Sequence, residues 1–183
     1  MNDIELLAQA YERFCKLPWD KSLAGPQKVW FAIYEPTQER RLRLHVPDFE
    51  MATIRAKHTW RLLDITDSFA HWMAGHEYHE AYFEQPDDMG LALDDYAQYV
   101  ANEVKGALEA PGIDDNTVVA ILGVGSLFGL ARSSTLFEAV APFIRGRLLA
   151  FFPGQREGSN YRLLDARDGW NYLAVPITAT DEG

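Results

Sequence analysis

Thr117-Val118-Val119-Ala120-Ile121-Leu122-Gly123-Val124-Gly125 is the stretch from which the architecture can be read. Six apolar, largely β-branched residues without polar alternation describe a strand covered on both faces, the pattern of a parallel sheet packed between helices. The two glycines then turn the chain out of that sheet. Upstream, Leu93, Tyr96, Ala97, Val100, Val104, Ala107 and Leu108 form one apolar stripe at helical spacing, ended by Pro111-Gly112. Downstream, Thr135 and Glu138 stand at capping-box spacing before a helix carrying Leu136, Phe137 and Val140.

The same alternation holds on both sides of this unit. Val29 to Tyr34 is a strand ended by Glu35-Pro36, Trp60 to Ile65 a second, and Arg147 to Phe152 a further buried strand closed by Pro153-Gly154. Tyr161 to Leu164 and Tyr172 to Ile177 read as two more short strands. The first helix, with Ile4, Leu7, Tyr11 and Phe14 on one face, is capped by Asp3 and stopped at Leu17-Pro18. Thr37 to Arg43 reads as basic helix, broken or kinked by Pro47 before another turn over Asp48 to Lys57. Asp67 is placed to cap a helix bearing Phe69, Trp72, Met73 and His76. The expectation is a three-layer αβα sandwich of Rossmann-like or flavodoxin-like type, with a mostly parallel sheet of about five strands. By analogy the strand order is flavodoxin-like. At 183 residues the chain is expected to form one domain, with an N-terminal helix over residues 1–20 and a flexible tail over 178–183.

Charge excludes some partners. The net charge of −10 argues against direct duplex DNA binding. Its distribution is uneven, because thirteen acids stand against Lys105 alone between Asp64 and Asp115. From Ala131 to Asp168 every base is an arginine, the side chain suited to bidentate contacts. Asp87, Asp88, Asp94 and Asp95 on the acidic side, with Arg145, Arg147 and Arg156 on the basic side, are therefore the candidate partner-binding residues. Nothing approaches about 20 consecutive apolar residues, and Met1-Asn2-Asp3-Ile4-Glu5 is acidic where a secretory leader is basic, so the expected location is the cytoplasm. The single Cys15 fits a reducing compartment.

The catalytic motifs that the chain approaches are incomplete. After Gly123-Val124-Gly125-Ser126-Leu127-Phe128-Gly129 come Leu130-Ala131, where a Walker A loop requires Lys and Ser or Thr. Phe128 stands where a dinucleotide fingerprint needs glycine, and Ser126 lacks the flanking glycines of a nucleophile elbow. Gly123, Gly125, Ser126, Arg132 and Ser133 remain a candidate anion site, since glycine lets backbone amides approach a phosphate at a helix start. His71, His76 and His79 lie beside Glu77 and Glu80, but His76 and His79 are three apart where a zincin pair is four apart, so no metal and no cofactor is expected. The adjacent carboxylates point away from one another on a helix and read as solvated caps.

Ile121 to Arg132, the helix with Thr135-Leu136-Phe137, Leu149-Ala150-Phe151-Phe152-Pro153-Gly154 and Tyr161-Arg162-Leu163-Leu164 together resemble the BrxB family, small proteins of the bacteriophage-exclusion (BREX) defence systems of bacteria. The resemblance extends back to Trp30-Phe31-Ala32-Ile33-Tyr34-Glu35-Pro36. It implies a non-catalytic adaptor in an assembly whose other members include a large ATPase (BrxC), an adenine methyltransferase (PglX) and a phosphatase-like protein (PglZ). The alternative reading is a nucleotide- or nucleic-acid-sensing subunit using the glycine turn.

Overall fold

The computed structural model describes residues 1–75, 89–166 and 169–180. Three strands built on apolar runs form its centre: β1 (Val29–Tyr34), β3 (Thr117–Leu122) and β4 (Arg147–Glu157). With β2 (Thr59–Asp64) and β7 (Val175–Ile177) they make a parallel sheet in the order β2-β3-β4-β1-β7. Two short strands, β5 (Asn160–Leu163) and β6 (Trp170–Asn171), add antiparallel to the end of β4. The sandwich and its mostly parallel sheet are as the strand pattern implies. The order is not flavodoxin-like, because β1 lies beside β4 and β7, with β2 at the far edge.

Side chains alternate strictly between two cores, as the period of two along a strand requires. Val29, Phe31, Val119, Ile121, Leu148, Ala150 and Phe152 face α3 (Ser68–Gly75), α4 (Met89–Leu108) and α5 (Ser133–Val140). Trp30, Ala32, Tyr34, Val118, Ala120, Leu122, Leu149 and Phe151 face α1 (Asp3–Cys15) and α2 (Glu39–Arg55). Each large apolar side chain so buried contributes about 1.5–3 kcal/mol. Phe31 touches Phe137, Phe152, Tyr161, Trp170 and Tyr172 in one aromatic cluster, while Tyr11 donates to or accepts from Thr53 at 2.6 Å in the other core.

Local expectations are corrected at several ends. The cap of α1 is Asn2, whose side chain takes the Glu5 amide at 2.9 Å while Glu5 reaches back to the Asn2 amide. Pro47 sits inside α2 and does not break it. Leu42, Val46, Phe49 and Ala52 are buried on one face across the proline, and that burial outweighs the one backbone bond its missing N–H removes. The Thr135–Glu138 box does not form, since the N-cap of α5 is Arg132, three residues before Thr135. Finally, β4 runs through Pro153-Gly154 to Glu157 and bends into a hairpin with β5. Gly154 is required there, because a Cβ would lie 2.0 Å from the Arg162 carbonyl oxygen.

Candidate functional site

The chain leaves β1 through α2 towards one face and leaves β3 through α5 towards the other, so a crevice opens at the carboxyl edge of the sheet. It is lined by Pro36, Glu39, Arg43, Thr66, Gly123, Gly125, Ser126, Pro153 and Leu164, with a volume of about 350 Å³. Gly123 ends β3 in the left-handed conformation at φ 94°. A side chain there would also meet Thr66 Oγ1 at 2.4 Å, so both torsion and space call for glycine.

A polar network joins three elements at this edge. The Tyr34 hydroxyl donates to Glu39 at the start of α2. Arg43, one turn later, donates through Nε to Glu39 at 3.0 Å, through one terminal nitrogen to Asp64 at 3.3 Å and through the other to Thr66 Oγ1 at 2.7 Å. Asp64, the last residue of β2, also takes the Thr66 amide at 2.9 Å and the Thr66 hydroxyl. Burial works upward on the Asp64 carboxyl, but the Thr66 hydroxyl and amide and the Arg43 guanidinium together hold it below its ordinary value. Burial, reinforced by the hydrogen bond to Glu39, raises the Tyr34 phenol.

The glycine turn likewise makes bonds within itself. The Ser126 hydroxyl donates to the Gly123 carbonyl at 2.6 Å. The amides of Ser126, Phe128, Leu130 and Ala131 are spent on carbonyls within the turn. The anion site expected from the sequence is therefore divided. Gly123, Gly125 and Ser126 line the crevice, whereas Arg132 and Ser133 line a separate cleft with Phe128, Leu163 and Trp170. Tyr34, Glu39, Arg43, Asp64 and Thr66 escaped the sequence reading. The Glu39–Arg43 spacing of four and the acid ending β2 were the available signals, but only the sheet order brings them together.

The candidate partner residues separate too. Asp94 and Asp95 are exposed on α4, and Arg145 and Arg156 are exposed at the ends of β4. Arg147 is a correction: it is 3% exposed, donates to the Gly146 and Asp20 carbonyls at 2.9 Å each, and lies over the Trp19 and Trp30 rings. It is a packing residue, because its guanidinium fills an aromatic recess that a partner cannot reach. Asp87 and Asp88, with His76 and His79, lie outside the described residues, and His71 is exposed on α3. Among the described residues no cluster of His, Cys, Asp and Glu could hold a metal ion, and no helix is long and apolar enough to cross a membrane.

The fold is a single-sheet α/β sandwich whose carboxyl-edge crevice is bordered by hydrogen bonds of Arg43 to Glu39 and Thr66. The chain belongs to the BrxB family: the family model described as BREX protein BrxB matches residues 70–177. That span holds β3, the glycine turn, α5, β4 and its hairpin, and β7. The likeness noted at Trp30 to Pro36 falls outside it. The protein is thus a member of a family of the BREX phage-defence systems. No curated protein and no solved structure matches the chain.

Proposed function

We propose that the protein is a non-catalytic accessory subunit of a BREX assembly, working by attachment to other subunits. The observation that carries this reading is the outer face of α2. Opposite its buried row, Leu44, Pro47, Met51 and Ile54 recur at spacings of three and four, with Leu44 75%, Met51 49% and Ile54 51% exposed. An apolar row at that spacing is the seam a helix presents to a partner, and leaving it in water is unfavourable. Arg40, Arg41 and Lys57 flank the row together with the exposed acids Asp48 and Glu50, while the exposed acids Asp94 and Asp95 lie on α4 at the other face of the sheet. The flanking charges would speed and orient docking, and the apolar anchors would supply affinity. The partners proposed are the other BREX subunits, PglZ, BrxC and PglX.

Tagged full-length chain co-expressed with its neighbouring BREX subunits tests the reading. At least one subunit should be retained at low salt, and Leu44→Asp with Met51→Asp should release it while circular dichroism stays unchanged. Failure of the unaltered chain to retain any of them at low salt overturns the proposal.

A further inference from the structure

The second cleft, at the start of α5, has features the adaptor reading does not use. Phe128, Arg132, Ser133, Ser134 and Trp170 line a cleft of about 350 Å³. The α5 helix opens into it with Arg132 as N-cap, no side-chain cap and no acidic residue in its first turn. The first amides of a helix have no partner within the helix, and its N-terminal end carries partial positive charge.

A second, independent observation concerns Ser133. It is only 6% exposed, it lines the cleft, and its hydroxyl makes no hydrogen bond to any described residue. The residue is packed in, but its oxygen opens on the cleft and is not among the fully buried unpaired groups, so it is a donor that a bound ligand can engage in place of solvent. Arg132 is exposed beside it and makes no hydrogen bond or ion pair with the described residues. Among the described residues, the polar side chains converging here, Arg132, Ser133 and Ser134, can all donate, which favours an acceptor-rich anion.

The remaining wall is aromatic. Trp170 is held in place by stacking on Phe137 at 15° between planes and by contacts with Tyr161 and Tyr172. Phe128 leaves 45% of its surface in water on the same cleft. An exposed ring beside a donor cluster is a shelf for a planar heterocycle.

We propose that this cleft binds a mononucleotide, its phosphate on the α5 amides, the Ser133 hydroxyl and Arg132, and its base against Phe128. The site is separate from the crevice at the glycine turn, where the Ser126 and Phe128 amides are bonded to carbonyls of the turn itself. A nucleotide is favoured over a polynucleotide because the chain's net charge of −10 repels an extended phosphate backbone.

Isothermal titration of the full-length protein with AMP, GMP, inorganic phosphate, adenosine and a 5′-phosphorylated dodecamer tests this. At least one mononucleotide should bind more tightly than phosphate or adenosine. Arg132→Glu and Ser133→Ala should each weaken it about tenfold, the loss of one charge-assisted contact. Phe128→Ala should weaken the mononucleotide and leave phosphate unchanged. Circular dichroism checks that each variant keeps the fold. No mononucleotide binding at low millimolar concentration overturns the proposal, as does phosphate binding equal to that of the nucleotide, binding indifferent to all three substitutions, or preference for the dodecamer. Subunit retention through α2 does not enter any of these readouts, so the two proposals fail separately.

Discussion

Replacing Gly123 by alanine should be the most informative single change at the crevice, because two separable costs meet there. An L-residue in the left-handed region costs about 1–2 kcal/mol. The new Cβ would also lie 2.4 Å from Thr66 Oγ1 and 2.7 Å from the Thr66 amide nitrogen, so Thr66 must retreat. Its retreat loosens the amide and hydroxyl contacts with Asp64. Such bonds are ordinarily worth more than 1 kcal/mol, but the half-exposed Asp64 carboxylate reduces that to about 1 kcal/mol. Gly123→Ala should therefore cost about 2–4 kcal/mol in urea unfolding and lower Tm by roughly 5–15 °C. Two other glycines isolate the terms. Gly129, at φ 77° with nothing within 4 Å, carries only the torsional cost, so Gly129→Ala should lose about 1–2 kcal/mol. Gly106, exposed inside α4 with open space around it, should gain about 0.5–1 kcal/mol as alanine. Equal effects at Gly123 and Gly129 would refute the steric reasoning, and a loss at Gly106 would refute the conformational reasoning.

Arg147→Ala should destabilise by about 2–4 kcal/mol, since it empties the recess over Trp19 and Trp30 and leaves the Asp20 and Gly146 carbonyls unpaired, whereas the exposed Arg156→Ala should stay within about 0.5 kcal/mol by the same urea assay. The Asp64 carboxyl is held below its ordinary value in the folded state, so its ionised form stabilises the fold. The stability gap between the unaltered chain and Asp64→Asn should be full above about pH 4 and close as the pH falls further, and a gap unchanged down to about pH 2 would contradict the network. Burial pushes the Cys15 thiol up to about 11. At pH 8 a disulfide reagent should modify the native protein only as fast as it unfolds, while complete modification within seconds in native buffer would show the thiol to be accessible.

The strands β1, β3 and β4, their α-helical neighbours and the resulting sandwich were legible in the sequence because uninterrupted apolar runs and 3.6-residue stripes are local signals. The glycine turn was legible for the same reason, since Gly123 meets a local torsional need. Pro47 shows where local reading ends: a proline predicts a break, but the buried faces on both sides of it make one helix. Arg147 shows the converse, because nothing in its neighbours along the chain announces that Trp19 and Trp30 will close over it.

Composition, charge segregation and the succession of strands and helices follow from residue order alone, since each rests on neighbours within a turn or two, whereas the continuity of α2 through Pro47 does not. The strand order, the meeting of Glu39, Arg43, Asp64 and Thr66, and the separation of Ser133 from Gly123 were settled only by tertiary structure. These are contacts between distant parts of the chain, and packing of the whole sheet chooses among arrangements that local propensity leaves equal in energy.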